Sequence, residues 1–476
     1  MPKSIKEAHK LDKANGNTFW ADAIAKELKN VRVAFKIIGK DESVPRGHQH
    51  VRCHMIFDAK MEDFRRKARL VAGGHTTNPP TTITYASVVL RETVRIALMI
   101  AALNDLEVKM GDVLNAYITA PITERIWTVL GPEWGTEAGK KAIVVRALYG
   151  LKSAGAAFRA HLGRCMRELG YVPCQADHDL WMKESKDPSG YEYYSYILVY
   201  VDDILVIDHD PLSVLNRINK FLPLKEGSVG DPNIYLGAKL TKVTMANDVE
   251  AWSMSSSKYV QEAVRNCEQH LAEVYPKQYK LFKDAPNPFM MGYKPDQDVS
   301  EVLAPQEASY FQSLIGIMRW MIELGRVDIA TEVSLLSSYL AMPREGHIEA
   351  ALHIMSYLKK KHNTRVVFDP AYPDIDMDFF QSHDWEEFYG DVEEAVPSDK
   401  PEPRGKPVDL QMYVDSDHVG EKTTRRSRTG FLILVNGALV GWLSKKQPTV
   451  NLSIFGAEFV AMKNGVETLR GIRYKL

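Results

Sequence analysis

The chain has 476 residues, of which 45% are hydrophobic and 25% are charged, and its formal net charge is −1. This composition is typical of a globular protein, and the length predicts several domains of roughly 150 residues each. It excludes a disordered chain, and no apolar run approaches the roughly 20 residues that would span a bilayer. The near-neutral charge alone argues against a dedicated nucleic-acid binder. Four scattered cysteines and a start without an apolar core indicate a protein that is neither secreted nor disulfide-bonded.

The first half of the chain, residues 1–245, mixes strand-like and helix-like segments, which predicts an α+β domain. The strand-like segments include KAIVV, YSYILVYVDDILVI and NIYLGAKL, and the helix-like ones include TVRIALMIAALND and SAGAAFRAHLGRCMRELG. Residues 246–370 are predicted to be mainly helical, because apolar residues recur every three or four positions in ASYFQSLIGIMRWMIELG, IATEVSLLSSYLAM and GHIEAALHIMSYLKKK. Pro343 should separate the last two helices.

The last part of the chain changes character twice. Residues 371–408 are acidic and rich in proline, which predicts an interdomain linker. Residues 409–476 begin with the strand-like VDLQMYVDSD. FLILV and ALVGWL follow, and Asn436 and Gly437 between them predict a tight hairpin because both tolerate positive φ. A helix is expected over FGAEFVAMKNGVETLRGIRY.

The segment YILVYVDDILVI, from Tyr196 to Ile207, contains two adjacent acidic residues within an otherwise buried strand. Buried carboxylates are unfavourable unless they are paired, and Asp202 and Asp203 also repel each other. We therefore expect a hairpin whose tip lies between Val201 and Asp203 and presents a carboxylate to a divalent metal in a cleft. An ordinary acidic turn between two strands is the alternative.

The context of these aspartates points to a metal site. YVDD between apolar runs resembles the metal-binding motif of reverse transcriptases. Upstream, in EVKMGDVLNAYI, Asp112 lies on the same strand face as Val108 and Met110, so that an acid occupies an apolar row. Asp112, Asp202 and Asp203 are therefore the predicted catalytic residues and metal ligands. They would hold two Mg²⁺ ions, or Mn²⁺ in their place, for phosphoryl transfer.

Three further residues are candidates for nucleotide binding. Tyr117 follows Asp112 by five residues, the spacing at which reverse transcriptases place an aromatic ring beneath the incoming sugar, where it selects deoxynucleotides. A packed aromatic at a strand end is the alternative. Lys67 and Arg69, in RRKARLVAGG, are candidates for cradling the triphosphate. A solvated basic face is the alternative for these two residues.

Nearly the whole sequence resembles the reverse transcriptase and RNase H part of copia-type LTR retrotransposon polyproteins. The motifs FWADAIAKELKNV, KARLVAGG, DVLNAY, RALYGLKSAGAAF, ADHDLWM, YVDDILVI and IYLGAKL follow in the order of that family. The resemblance implies an α+β right-hand polymerase, with fingers and palm in residues 1–245 and a helical thumb and connection in residues 246–370. It also implies substrate binding by Lys152 and a primer grip at Leu236 and Gly237.

The C-terminal motifs YVDSDHVG, TRRSRTGF, WLSKKQPTVNLS and GAEFVA resemble RNase H. They imply a truncated RNase H-like α/β domain over residues 409–476, in which Asp415 and Glu458 are co-ligands. Glu458 is in line with Met462 and Val466, so we expect this stripe to face the sheet; a glutamate at the edge of the stripe is the alternative. The further acidic ligands of RNase H are not in the sequence, so we expect no RNA cleavage and an open sheet edge.

The expected function is RNA-directed DNA polymerisation, in which dNTPs extend a primer on an RNA or DNA template. The template–primer duplex would be bound mainly through its phosphates. The resemblance implies a cytoplasmic particle, the nucleus or both, and leaves the oligomeric state open. A non-catalytic retroelement remnant that at most binds nucleic acid is the alternative. An RNA-dependent RNA polymerase is disfavoured by Tyr117 and by the RNase H-like unit.

Overall fold

The computed structural model describes residues 1–39, 42–59, 65–81, 83–246, 248–375, 384, 386–391 and 400–476. Over these residues the chain is a mixed α/β protein, which agrees with the predicted mixture of helices and strands. Much of the predicted acidic linker, residues 371–408, lies outside the described residues. None of the described helices is long and apolar enough to cross a membrane.

The described α-helices are spread along the whole chain. They are α1 (Ile5–Asn15), α2 (Phe19–Val31), α3 (Arg91–Leu103), α4 (Ala116–Thr119), α5 (Ala154–Glu168), α6 (Pro211–Phe221), α7 (Ser257–Val274), α8 (Pro305–Glu323), α9 (Ala330–Leu336), α10 (Glu345–Lys360), α11 (Glu386–Tyr389) and α12 (Ile454–Arg473). The three helices predicted before the linker are confirmed as α8, α9 and α10. Pro343 lies between α9 and α10 as expected, because proline cannot continue a helix.

The described strands form four sheets and one two-stranded ribbon. They are β1 (Phe35–Ile37), β2 (Gln49–His50), β3 (Cys53–Ala59), β4 (Arg66–Ala72), β5 (Glu107–Asp112), β6 (Pro121–Val129), β7 (Lys141–Arg146), β8 (Val172–Pro173), β9 (Leu180–Lys186), β10 (Glu192–Tyr200), β11 (Asp203–Asp208), β12 (Ile234–Tyr235), β13 (Ala238–Thr244), β14 (Glu250–Ser255), β15 (Val366–Phe368), β16 (Leu410–Ser416), β17 (Arg428–Val435) and β18 (Ala438–Lys446). The sheets have the orders β1-β7-β6-β2, β5-β11-β10-β9-β8, β12-β13-β14-β15 and β16-β17-β18, and β3 pairs with β4.

The five-stranded sheet at the centre is buried on both faces. Successive residues of a strand point to opposite faces. Ile197 and Val199 on β10 therefore pack into one hydrophobic core, with residues of α2, α5 and α6, whereas Leu198 packs into a second core with residues of α3. On β11, Ile204 and Leu205 divide in the same way. This two-sided burial explains why YILVYVDDILVI is almost continuously apolar.

The C-terminal sheet shares the second core with α3 and the central sheet. Phe431 and Ile433 on β17 and Val440 on β18 are buried in this core. The predicted hairpin between β17 and β18 is confirmed, and Asn436 in its turn has φ of 51°. The C-terminal sheet is therefore packed against the rest of the chain.

Arg95 joins three parts of the molecule. Its side chain is buried, with 4% of the residue exposed. One guanidinium nitrogen donates to the carbonyl of Val440 on β18 at 2.9 Å, and another donates to the carbonyl of Glu323 at the end of α8 at 2.6 Å. The guanidinium also lies 3.7 Å from the centre of the Trp442 ring. Burial lowers the pKa of Arg95 to about 10, so the group remains charged at neutral pH. Arg95 thus ties α3, α8 and β18 together.

The expected open edge of the C-terminal sheet stays a prediction, but β18 is partly covered by side chains. This strand is an edge of its sheet, but the carbonyl of Val440 accepts from Arg95 and the carbonyl of Ser444 accepts from the Ser334 hydroxyl at 2.6 Å. Side chains of α3 and α9 therefore satisfy carbonyl groups that would otherwise invite another strand. Among the described strands, β16 forms the opposite edge of this sheet.

The predicted orientation of the last helix is wrong at Met462 and Val466, which are exposed, whereas Leu469 of the same stripe is partly buried against the second core. The buried residues of α12 are small ones and one isoleucine, namely Ala457, Ala461, Gly465 and Ile472. At Gly465 the helix lies directly against β16, since a Cβ there would be 2.4 Å from the sulfur of Met412, whose side chain would have to shift. Glu458 is half-buried beside this face, which corresponds to the alternative interpretation of the stripe.

Replacing Arg95 with Met should lower the free energy of unfolding by about 2–4 kcal/mol, because two buried carbonyls lose a charged donor. Arg91→Met is the matched control on the same helix. Arg91 also stacks on a tryptophan, Trp320, at 4.2 Å and pairs with the Glu323 carboxylate at 3.0 Å, but its side chain is 31% exposed. Its loss should cost about 1 kcal/mol or less. Urea unfolding, followed by tryptophan fluorescence, measures the free energy of unfolding of both variants. Equal losses in the two variants would show that the buried contacts of Arg95 stabilise the fold no more than the partly exposed contacts of Arg91.

Candidate active site

The predicted hairpin tip is confirmed at the acidic pair. Tyr200 and Asp203 are the last paired residues of β10 and β11, so that Val201 and Asp202 form a two-residue turn. Val201 has φ of 58°, a left-handed conformation that costs a side-chain-bearing residue roughly 1–2 kcal/mol. The backbone N–H of Val113 donates to the carbonyl of Asp202 at 2.8 Å and fastens the turn to the end of β5. Asp202 therefore lies in the turn, where its side chain does not follow the alternation of the strands.

The third predicted carboxylate lies directly beside this turn. Asp112 is the last residue of β5, and it is the cross-strand partner of Asp203 in the antiparallel pair of β5 and β11. Directly opposed residues have Cβ atoms roughly 4.5–5.5 Å apart. The structure therefore brings Asp112, Asp202 and Asp203 together at one end of the central sheet, although they come from two separate segments.

The electrostatics of the three carboxylates show a shortage of positive charge. Burial and the charges of Asp202 and Asp112 raise the pKa of Asp203 to about 6, against the opposing charge of Lys225. Burial also raises the pKa of Asp202, and the charge of Asp112 raises it further, whereas Lys67 and Arg69 oppose the shift. A cation bound here would remove this repulsion.

Lys225 pairs with one of the carboxylates. Its ammonium donates to Oδ2 of Asp112 at 2.7 Å, and the two side chains are 44% and 23% exposed. Sequence reasoning missed this residue, because the loop that follows α6 carries no motif that would single out one lysine. The interaction joins residues 113 positions apart.

An aromatic and basic cluster lies next to Asp202. The rings of Tyr117 on α4 and Tyr149 have centroids 4.8 Å apart, and the guanidinium of Arg69 on β4 lies 5.1 Å from the centre of the Tyr149 ring. Burial raises the pKa of Tyr117, the charge of Asp202 raises it further, and Arg69 opposes the shift. The structure thus brings together the predicted Tyr117, Arg69 and Asp202. It adds Tyr149, whose position in the RALYGLK motif was the available signal.

The other predicted substrate residues occupy different settings. Lys67 is on β4, two positions before Arg69, and its charge acts on Asp202. The ammonium of Lys152 donates to the backbone carbonyl of Thr77 at 2.6 Å, so this lysine fastens two loops together. The loops meet at Gly150, where a Cβ would lie 2.1 Å from the carbonyl oxygen of Ala72 and where φ is 90°. Only glycine fits there.

The predicted primer-grip residues form a second tight turn. Leu236 and Gly237 connect β12 to β13 and have φ of 54° and 85°. Before them, the buried Tyr235 lies close enough to Asp203 for that charge to contribute, after burial, to raising the pKa of the tyrosine. This turn is therefore a neighbour of the carboxylate cluster. Its contact with a primer stays a prediction.

The two predicted RNase H residues are not joined by any hydrogen bond or ion pair in the described part of the chain. Asp415 on β16 is exposed. By strand alternation it lies on the face opposite to Met412 and Val414, which meet α12 near Gly465. Glu458 is on α12. Their role as co-ligands stays a prediction.

The carboxylate cluster suits a divalent metal in its chemistry but is not arranged for one. Carboxylate oxygens are the ligands that Mg²⁺ prefers, and the repulsion that raises the pKa of Asp203 is the kind that a bound cation relieves. No three His, Cys, Asp or Glu side chains among the described residues converge in a geometry that could hold a metal ion. Asp112 is paired with Lys225 instead. Metal binding therefore requires these side chains to move.

A carboxylate-bearing turn at the end of an antiparallel sheet, beside a basic and aromatic cluster, defines a site suited to nucleotide chemistry. The family described as reverse transcriptase (RNA-dependent DNA polymerase) matches residues 40–281, which include all of these residues. The chain belongs to this reverse transcriptase family, as its sequence motifs indicated.

Two of the relatives belong to plant transposons. The chain is 24% identical to the "Retrovirus-related Pol polyprotein from transposon TNT 1-94" of Nicotiana tabacum, over 97% of this chain and 31% of that protein. It is also 24% identical to the "Retrovirus-related Pol polyprotein from transposon RE1" of Arabidopsis thaliana, over 87% of this chain and 25% of that protein. The chain thus spans a third or less of these relatives. A solved foamy viral protease-reverse transcriptase in complex with ds DNA shares 11% identity at a TM-score of 0.47, over 96% of this chain and 61% of that one.

Asp203→Asn should stabilise the metal-free protein at pH 7 and not at pH 4. The pKa of Asp203 is raised from its ordinary value near 4 to about 6. Protonation of Asp203 therefore stabilises the folded state below pH 4, and this stabilisation is lost as the pH rises through 6. A shift of this size corresponds to roughly 2.7 kcal/mol, and partial exposure reduces it to about 1–2 kcal/mol.

Urea unfolding in EDTA at the two pH values measures this effect. Asp105→Asn is the control. The Asp105 side chain is 89% exposed, so this substitution should leave the free energy of unfolding unchanged at both pH values. An Asp203→Asn variant that is less stable than the wild type at pH 7 would contradict the repulsion described above.

Proposed function

We propose that this chain is an RNA-directed DNA polymerase that transfers nucleotides from dNTPs to a primer 3′-hydroxyl on an RNA or DNA template. The observation that carries the proposal is the juxtaposition of Asp112 with the turn that bears Asp202 and Asp203, in a chain of the reverse transcriptase family. The central sheet would be the palm, and α7 to α10 would form the thumb and connection.

The carboxylates have two roles in this proposal. Their oxygens would hold Mg²⁺ or Mn²⁺, and the strand and turn that carry them would place the ions between the reacting ends of primer and nucleotide. When bound, two such ions would activate the primer hydroxyl and stabilise the pyrophosphate leaving group. Asp202 and Asp112 are proposed as the main ligands, with Asp203 in a supporting role.

The cluster beside Asp202 would bind the incoming nucleotide. Arg69 is held against the Tyr149 ring, and with Lys67 it supplies positive charge on the side of Asp202 that faces β4. These charges suit the triphosphate, because guanidinium and ammonium groups bind phosphate oxygens by charge-assisted hydrogen bonds. Tyr117, packed against Tyr149 and Phe158, would form the floor under the sugar. A rigid ring at that position leaves no room for a 2′-hydroxyl.

Asp202→Asn should abolish incorporation of dTMP on poly(rA)·oligo(dT) with Mg²⁺, because the substitution removes a charged oxygen from the metal site. Asp105→Asn is the matched control and should keep wild-type activity. The measurement is label incorporation at low salt with purified protein. Failure of the wild type to incorporate with either Mg²⁺ or Mn²⁺ would favour the alternative of a non-catalytic nucleic-acid-binding remnant.

Tyr117→Ala should raise the use of ribonucleotides relative to deoxynucleotides by about tenfold, which corresponds to removal of a steric penalty of about 1.4 kcal/mol. Tyr117→Phe keeps the ring and should leave the ratio unchanged. Single-nucleotide incorporation with rUTP and dTTP gives the ratio of kcat/KM values. An unchanged ratio in the alanine variant would rule out the sugar-gate role.

A further inference from the structure

We infer that Lys225 is a positioning residue that occupies the place of the metal ion beside Asp112 in the metal-free protein and must leave when a divalent ion binds. The inference rests on the proposed function, in which Asp112 is a metal ligand. The lysine ammonium lies 2.7 Å from Oδ2 of Asp112, which is the distance of a direct charge-assisted hydrogen bond.

The backbone around Lys225 holds it in place. Its N–H donates to the carbonyl of Asp112 at 2.8 Å, and the N–H of Asp112 donates to the Ser228 hydroxyl at 3.0 Å. The same hydroxyl donates to the carbonyl of Lys225 at 2.7 Å. The loop that carries Lys225 is therefore bonded along the free edge of β5, directly beside the carboxylate.

Further contacts extend this attachment on both sides. Leu114 donates to the carbonyl of Pro223 at 2.8 Å, and Met110 and Gly230 exchange two backbone hydrogen bonds. Residues 223–230 thus act as an irregular extra strand beside β5. Because its backbone is fixed, Lys225 remains close to Asp112 even when its flexible side chain is displaced.

The arrangement has two opposing consequences. Without metal, the ammonium offsets part of the repulsion among Asp112, Asp202 and Asp203 and so helps to keep the turn folded. With metal, the same ammonium competes for Asp112 and repels the incoming cation. The observed contact that carries this competition is the 2.7 Å hydrogen bond between the Lys225 ammonium and Oδ2 of Asp112.

The test compares Lys225→Met with wild type in two measurements that do not use polymerase activity. In EDTA, the variant should melt lower by roughly 2 °C, since uncompensated carboxylates remain. Titration with Mn²⁺ followed by electron paramagnetic resonance should show about fivefold tighter binding by the variant, which corresponds to about 1 kcal/mol for a partly exposed ion pair. Saturating Mn²⁺ should therefore close or reverse the difference in melting temperature.

Two variants serve as controls. Lys242→Met removes a lysine that pairs with Glu107 at 2.7 Å at the other end of β5, with similar exposure of 39% and 47%. It should change neither the Mn²⁺ affinity nor the stabilisation by Mn²⁺. Lys225→Arg keeps the charge and should melt like the wild type in EDTA.

Equal Mn²⁺ affinity in wild type and Lys225→Met would overturn this inference alone. Weaker binding by the variant would also overturn it, because Lys225 would then support the metal-binding conformation of Asp112 rather than compete with it. Absence of Mn²⁺ binding by the wild type would overturn the metal site of the proposed function as well. The EDTA melting comparison verifies that all three lysine variants are folded.

Discussion

Electrostatic repulsion among three carboxylates is the constraint around which the centre of this molecule is organised. Strand pairing and the turn bring Asp112, Asp202 and Asp203 together, and burial, with the charges of Asp202 and Asp112, raises the pKa of Asp203 to about 6. Such an arrangement opposes folding, and it persists because the surrounding structure outweighs it. The central sheet provides the stabilising free energy, because both of its faces are buried in separate hydrophobic cores. The same packing keeps Val201 in its strained backbone conformation, with φ of 58°.

The cations near this centre come from segments that are distant in sequence. Arg69 and Lys67 belong to the β3–β4 ribbon, and Lys225 belongs to the loop after α6. They act on different carboxylates, since Lys67 and Arg69 oppose the pKa shift of Asp202 whereas Lys225 pairs with Asp112. A nucleotide would approach the first group, and a metal would displace the second. In the proposed function, Lys67 and Arg69 would bind substrate, and Lys225 would take the place of a metal ion beside Asp112.

Local signals in the sequence were enough to predict several of the elements, including α3, α5, α8 to α10 and the β17–β18 hairpin, and the positions of the acidic residues. The adjacent aspartates, Asp112 in an apolar row and the Asn436–Gly437 turn are each anomalies that a short window exposes. Tertiary packing decided the rest. The buried face of α12 consists largely of the small residues Ala457, Ala461 and Gly465, which a pattern of large hydrophobic residues does not reveal. Lys225 is one lysine among many, and only the fold shows that it lies beside Asp112.

The C-terminal sheet affects the proposed site through the core that it shares with α3. Arg95 bonds to the end of α8 and to β18 at once, so the position of α8 relative to the central sheet depends on both. The turn of Leu236 and Gly237 also contacts this region, because a Cβ at Gly237 would lie 3.8 Å from Trp320 and Leu324. That turn is a neighbour of the carboxylates. Arg95 and α8 therefore connect the C-terminal sheet to the turn of Leu236 and Gly237, which would hold the primer in the proposed function. The C-terminal sheet is in this sense a structural part of the proposed polymerase unit.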